Sequence, residues 1–523
     1  GGIFVISTLI GVITTGVEGK LEELRKGRSR VLESGHTVIL GWSPQIFTVI
    51  PEIVTANENQ PRGVIAILAD KDKVEMEEEL HDRVGDTQKT VVICRSGSPS
   101  DPTDLEIVSP RTARSIVILP PEDGDADSSV IKTALALTNN PNRRPEPYNI
   151  VTQVKDPRNL SVVHMVGAKD RLSAILTGDI IARVTAQTSR QSGLSMIYTE
   201  LLNFGGDEIY FKEEPTLSGK TFGDALAAYE YSALIGIQQA DGVAVLNPPM
   251  ERRLAPGEKV IVISADDDTI KLSGLTNPPV QTHLLRSSAR RMVPEPEKGL
   301  ILAWNPSAPI IIREMDYYVA KGSTLTVVAD EKFAAEVRAC GQLQNQKLIF
   351  QAGDTTDRDL LDALKLADYD HVIVLADTTL DVQAADARTL ITLLHLRDIA
   401  EHDATPFSIV SEMLDLRNRE LAEVTNVDDF IVSDHLISLM TAQLSENADL
   451  YGVFLDLFDP EGSEIYLKPA SDYVELGQPV NFYTVIEAAR RRGETAFGYR
   501  LNAEAHEARA SYGVHTNPKK SAE

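Results

Sequence analysis

Thr37-Val38-Ile39-Leu40-Gly41-Trp42-Ser43-Pro44 is a short apolar run closed by a glycine and a tryptophan, and its ending returns far downstream as Ala303-Trp304-Asn305-Pro306. The offset is 304 − 42 = 262. Further echoes follow in the same order. Ile150-Val151 ahead of Arg158-Asn159 returns as Ile409-Val410 ahead of Arg417-Asn418, an offset of 259. Thr185-Ala186-Gln187 and Glu208-Ile209-Tyr210-Phe211-Lys212 return as Thr441-Ala442-Gln443 and Glu464-Ile465-Tyr466-Leu467-Lys468, both offset by 256. An offset that drifts this slowly is a duplication with small loop deletions, and it spans nearly all the chain beyond residue 35.

Within the first copy, apolar strands alternate with helical patterns. Thr37 to Leu40, Gly63 to Ala69, Thr90 to Cys94, Ser115 to Leu119 and Tyr148 to Val154 read as strands. Between them lie helix-like segments such as Gln45 to Asn57, Lys73 to Asp82 and Ser128 to Leu137. Near-continuous Val/Ile/Leu strands separated by helices predict a parallel sheet covered on both faces, the doubly wound α/β arrangement. The fold class expected is two tandem Rossmann-like domains, each followed by a smaller strand-rich α+β subdomain. The boundaries read as Rossmann-like domains over 36–200 and 299–450 and subdomains over 201–273 and 451–515. A Pro- and Arg-rich linker covers 274–298, and 516–523 reads as a flexible tail.

Residues Gly1 to Val17, GGIFVISTLIGVITTGV, carry no charge, and Lys20, Arg25, Lys26, Arg28 and Arg30 follow. The run is slightly shorter than the roughly 20 residues that cross a bilayer. It reads as the end of a truncated transmembrane helix (1–17) with a linker helix behind it (18–35), basic on the cytoplasmic side. A buried core helix is the other reading. Gly11 and Gly16 are candidate bending points.

Composition narrows the function. The 523 residues hold 51 Lys+Arg against 77 Asp+Glu, a net charge of −26, which opposes nucleic-acid binding. The two cysteines, Cys94 and Cys340, permit no disulfide framework and no cysteine-based zinc site. No HExxH, GxSxG or GxxxxGK[ST] pattern occurs, so neither catalytic nor cofactor-binding residues are expected. The dinucleotide fingerprint is broken as well. Only Gly41 remains of the three glycines, and the second copy has Ala303 in its place. Asp70 and Asp330 stand where a ribose-binding acid would, and read as strand-end residues. Trp42 and Trp304 read either as wedges at the crevice or as core.

Carboxylates are the remaining candidates. Asp123-Gly124-Asp125-Ala126-Asp127 follows the fourth strand, at the sheet edge where such folds bind ligands. Asp377 and Asp381 occupy the corresponding loop of the second copy. Acids at alternate positions suit a hard cation such as calcium, although acids at a helix start also serve its dipole. Glu75, Glu77, Glu78 and Glu79 form a solvated helix face first and a cation candidate second.

The run GGIFVISTLIGVITTGVEGKLEELRKGRSRVLESGHTVILGW resembles the inner-helix end, Leu-Arg-Lys-Gly linker and first strand (His36 to Ser43) of the CASTOR/POLLUX channels. The tandem domains resemble RCK (regulator of conductance of potassium) gating rings. The resemblance implies a homotetramer whose RCK units form a ring beneath a cation pore, membrane-attached through the pore helix, with most of the chain cytoplasmic. It also implies regulation by a ligand, calcium being the expected one. The alternative is a soluble Trk-type potassium-transport subunit that binds a nucleotide.

Overall fold

The computed structural model describes residues 27–122, 124–286, 295–402, 407–422, 429–505 and 512–522. The expected pore-helix end at 1–17, and the linker helix up to residue 26, lie outside them; residues 27–35, expected as the rest of that linker helix, form no helix. Among the described residues no helix is long and apolar enough to cross a membrane.

The first copy builds a six-stranded parallel sheet. Its strands are β1 (Thr37–Leu40), β2 (Gly63–Ala69), β3 (Thr90–Ser96), β4 (Ser115–Ile118), β5 (Asn149–Val154) and β6 (Arg171–Leu176), ordered β3-β2-β1-β4-β5-β6. All four residues of β1 are buried, as a central strand covered on both faces requires. Side chains of alternate parity feed a core that joins Val38, Leu40, Ala66 and Leu68 to Val130, Ala134 and Leu137 of the helix Ala126–Thr138. That helix and Pro157–Val166 pack side by side over β5 and β6, with Ile131 and Leu160 against Val154, Val163 and Ala174.

The second copy repeats the topology. Strands β11 (Lys298–Leu302), β12 (Ser323–Ala329), β13 (Gln346–Ala352), β14 (His371–Val374), β15 (Ser408–Met413) and β16 (Asp429–Val432) are parallel and ordered β13-β12-β11-β14-β15-β16. In both sheets strand order reverses between the first and fourth strands, and the crevice at their carboxyl ends is the topological switch point.

The subdomains differ. The first holds a four-stranded antiparallel sheet of β7 (Glu208–Glu213), β8 (Ser232–Gln238), β9 (Ala244–Leu246) and β10 (Lys259–Ser264), ordered β7-β10-β8-β9. The second keeps the helices Leu450–Phe458 and Phe482–Arg490 and, among the described residues, one short antiparallel pair, β17 (Gly498–Arg500) with β18 (Val514–Thr516). Glu464 to Lys468, the echo of β7, forms no strand; the Leu467 amide donates instead to Gln191 Oε1 at 2.6 Å.

Two compact units emerge, and they do not follow the repeat boundaries. One comprises residues up to Thr177 with Ile437–Ala448, the other Gly178–Leu436 with Asp449 onward. From Gly178 onward the helix after β6, Thr177–Arg190, lies in the second unit, where Ala182 and Ala186 join a core with Ile301, Trp304, Ala308 and Ile311. Conversely, from Ile437 onward the helix after β16, Ser433–Glu446, lies in the first unit. There Asn149 Nδ2 donates to Ser445 O at 3.1 Å, Gln153 Nε2 to Thr441 Oγ1 at 3.2 Å, and Arg114 pairs with Glu446 at 2.6 Å. The helix that follows the sixth strand of each sheet thus packs in the compact unit built around the other sheet.

The expected linker and tail are both held down. Gln281 Oε1 accepts the Asn481 amide at 3.0 Å, Asn481 Nδ2 donates to Pro279 O at 2.7 Å, and Arg286 pairs with Glu475 at 2.6 Å. In place of the flexible tail expected over 516–523, residues 512–522 are docked, with Lys520 only 1% exposed. Polar hooks at Thr516, Asn517, Lys520 and Ser521 supply what that segment lacks in apolar residues.

Candidate functional site

The crevice of the first sheet is shaped by Gly41. Its φ is +105°, and a Cβ built there would lie 2.5 Å from Leu119 O, so β1 and the end of β4 approach as closely as only glycine allows. Trp42 follows, half-buried, with its ring edge-on to Phe47 at 5.8 Å and the Lys71 ammonium 5.3 Å from its centroid. Ser43 is buried, and among the described residues its Oγ has no hydrogen-bond partner. The next helix, Ile46–Ala56, opens without a side-chain cap. Asp70 is exposed at the end of β2.

The second crevice is filled. Ala303 adopts φ +70° where the first copy has glycine. Trp304 is buried in the core and donates Nε1–H to Glu336 Oε2 at 2.9 Å, so of the two tryptophans this one is core and Trp42 is the crevice residue. Asn305 donates to Glu412 Oε2 at 2.6 Å and to Ala376 O at 3.2 Å. Glu412 also accepts the Ala376 amide at 3.3 Å and the Ser433 hydroxyl at 2.8 Å. Burial pushes the Glu412 carboxyl up, and these three donors pull against it. The first copy has Gln153 at this position (412 − 153 = 259), donating to Gln45 Oε1 at 2.7 Å. A phosphate entering the second crevice would meet a built-in carboxyl among donors already used. Asp330 caps the short turn after β12, accepting the Lys332 amide.

The acidic loops resolve into individual duties. Asp125 caps Ala126–Thr138: Ser128 donates its hydroxyl at 2.5 Å and its amide at 3.1 Å, holding the carboxyl below its ordinary range. Asp127 is buried and accepts the Lys155 amide at 2.8 Å, the Asp156 amide at 2.9 Å and Asn159 Nδ2 at 2.8 Å. It staples its helix to the turn after β5. Asp377 accepts the amide and hydroxyl of Thr379, and Asp381 accepts the Ala384 amide at the start of the helix Val382–His402. Asp123 lies outside the described residues. Among those residues, no three His, Cys, Asp or Glu side chains gather as a metal site.

The true counterpart of Asp127 is Asp386 (386 − 127 = 259), which accepts the Leu414 amide at 2.9 Å, the Asp415 amide at 3.0 Å and Asn418 Nδ2 at 2.8 Å. The signal for it was in the sequence, because Asp156-x-Arg158-Asn159 and Asp415-x-Arg417-Asn418 share that offset. Glu412 and Asn305 had no such signal.

In the second unit the helix Thr177–Arg190 carries charge contacts at its middle and at its C-terminal end. Arg183 pairs with Asp179 at 2.8 Å and lies 3.9 Å from Glu314. Arg190 forks onto Glu297 at 2.5 and 2.9 Å, and His371 Nε2 is 3.2 Å from the same carboxylate. Burial pushes Glu297 up, but the bonds from His371 and Arg190 overrule it and hold the carboxyl at about 2.

Comparison with known proteins agrees with this architecture. Residues 178–280 match the family model described as Castor and Pollux, part of voltage-gated ion channel. The chain is 33% identical over 545 residues to the probable ion channel CASTOR of Oryza sativa subsp. japonica, covering 96% of this chain and 60% of that protein. It is likewise 33% identical over 547 residues to the ion channel CASTOR of Lotus japonicus (96% and 63%), and 31% identical over 542 residues to the probable ion channel POLLUX of Arabidopsis thaliana (96% and 65%). It therefore spans about three-fifths of the length of these relatives. They are named as channels or probable channels, not as enzymes, in keeping with the absence of catalytic motifs from the sequence. The human SLO3 gating ring shares the fold, with a TM-score of 0.66 at 14% identity over 93% of this chain and 97% of that one. With relatives aligned along 96% of its length and a duplicated sheet topology of gating-ring type, the chain belongs to the CASTOR/POLLUX family.

Proposed function

We propose that this region is the cytoplasmic, ligand-sensing gating ring of a tetrameric cation channel. The observation that carries the reading is likeness along almost the whole chain to proteins named as ion channels, on a gating-ring fold. Assembly has support in the surfaces. Leu135 on Ala126–Thr138 and Val162 on Pro157–Val166 are exposed, and so are Leu394 and Leu421 at the offset of 259 in the second copy. Large apolar side chains left outside at the same places in both copies suit contact between chains.

The mechanism is linkage. A ligand shifts the pore equilibrium only by its differential affinity for two ring shapes, and residues 18–35 would pass that bias to the pore helix expected at 1–17, in the membrane. The ligand is proposed as a small ion or molecule. Calcium at Asp123 and Asp125 is its cation form, with Asp127 already committed to backbone amides. The Trk-type alternative needs a nucleotide cradle, and the broken glycine turn and the Glu412 carboxyl oppose one.

The test is bilayer recording from the full-length protein and from a form ending before residue 36, with and without millimolar calcium. Conduction that persists while its ligand dependence disappears is the expected result. Ligand dependence unchanged by removal of residues 36–523 would overturn the proposal.

A further inference from the structure

Lys520 is, among the described residues, the one buried lysine. It sits in a segment tied to the first strand-rich subdomain and to the helix Phe482–Arg490. Thr516 Oγ1 donates to Asp207 at 2.5 Å, Asn517 Nδ2 to Tyr231 O at 2.7 Å, and the Ser521 amide to Glu230 at 3.2 Å. The Lys520 backbone bridges Glu230 O and the Tyr483 amide, each at 3.2 Å. Its Nζ donates to two backbone carbonyls, Tyr229 O at 2.7 Å and Ser232 O.

An ammonium carries three N–H donors and a neutral amine two. Two carbonyls match the amine, and among the described residues Nζ has no third hydrogen-bond acceptor for the extra proton of the ammonium, the Tyr229 ring centroid being 6.0 Å away. The groups around it are Glu230, Tyr229, Tyr231, Tyr483 and Lys519, the last lying over the Tyr231 ring. Glu230 favours the charged amine but is shared with Tyr483 Oη at 2.7 Å and with Ser521. Burial would raise Glu230, but those donors overrule it and keep it ionised at neutral pH; burial pushes Tyr229 and Tyr483 up, so both stay neutral.

We propose that residues 512–522 form a pH-sensitive latch, closed by the neutral amine of Lys520 and loosened when that amine takes up a proton. The sign follows from linkage. Burial brings Lys520 down from 10.5 to about 7 when docked, so the docked segment binds fewer protons than the released one. Docking therefore strengthens as pH rises from 7 toward 10.5, by about fivefold between pH 7 and 8, and changes less than about twofold between pH 6 and 7.

Hydrogen exchange of the peptide covering 512–522 in the full chain, corrected for intrinsic pH dependence, measures this at pH 6, 7, 8 and 9. Protection should climb above pH 7 and level off below it. Lys520→Met should remove the slope, with unchanged exchange of β1 and β2 as the check on folding. If Lys520→Met releases the segment outright, Glu230→Gln decides, because losing the one carboxylate that favours the ammonium should carry the levelling point below pH 7. Corrected protection that is flat in the parent, a slope retained by Lys520→Met, or a levelling point unmoved by Glu230→Gln overturns the latch.

Discussion

Glu297→Gln removes the charge that Arg190 and His371 share while leaving the side-chain shape. The carboxyl is held at about 2 against an ordinary 4.5, roughly 2.5 pH units, or about 3.4 kcal/mol at neutral pH. Side-chain exposures of 21% for Arg190, 22% for Glu297 and 15% for His371 admit solvent screening, which brings the expected cost to about 2 kcal/mol. Because the folded value is depressed, this stability is present in full above the unfolded value of 4.5. It is lost as pH falls from there toward 2. The variant should therefore be less stable than the parent at pH 7, with more than half of that difference gone by pH 3. Trp304 lies in the same core as Ala182 and Ala186 of the anchored helix, whereas Trp42 lies in the other compact unit. In a Trp42→Phe background, tryptophan fluorescence during urea unfolding reports on the second unit alone. A loss below about 0.5 kcal/mol at pH 7, or an equal loss at pH 3 and pH 7, would refute the charge-anchor reasoning.

Asp127→Asn and Asp386→Asn should each cost about 2 kcal/mol, since each weakens a buried acceptor shared by two part-buried backbone amides, and urea melts of the separate variants should show matching losses. Calcium should raise the melting temperature of the parent and not of Asp123→Asn/Asp125→Asn; equal shifts in both would remove that loop as the cation site. Calorimetry with NAD, NADH and ATP should show weak binding or none, and micromolar affinity would revive the Trk-type reading. Leu135→Asp with Leu394→Asp should lower the mass of the assembled chain in light scattering, whereas an unchanged mass would place the contacts elsewhere.

The sheets were legible because a strand covered on both faces must be continuously apolar, and Thr37 to Leu40 or Gly63 to Ala69 can be little else. The duplication was legible through short echoes such as Arg158-Asn159 and Arg417-Asn418. The helix exchange was not, since the pattern of Thr177–Arg190 fits either sheet and only tertiary packing decides which one it meets. Lys520 was hidden for a related reason. A lysine among Asn, Pro and Ser reads as solvated, and its burial rests on carbonyls of Tyr229 and Ser232, nearly 290 residues away. Asp127 misled in the opposite direction. Spaced with Asp123 and Asp125 it looks like a cation ligand, whereas its partners are amides of a turn that follows the next strand.

The two crevices have diverged in ways that bear on where a ligand could act. Duplication supplies two switch points, and a copy that loses ligand binding is free to fill its crevice with structural bonds. The second copy has done so: Asn305, Glu412, Ser433 and the Ala376 amide satisfy one another, with no glycine left at the turn. The first copy has done so only in part, through Gln153, Gln45 and Thr441. It retains Gly41, the Ser43 hydroxyl without a partner among the described residues, an uncapped helix start and a half-buried Trp42 beside Lys71. A buried hydroxyl without a partner costs on the order of 1–3 kcal/mol, and the second copy shows how one substitution to asparagine could have relieved it. If either crevice takes a ligand, the polar groups left over in the first make it the one with something to offer.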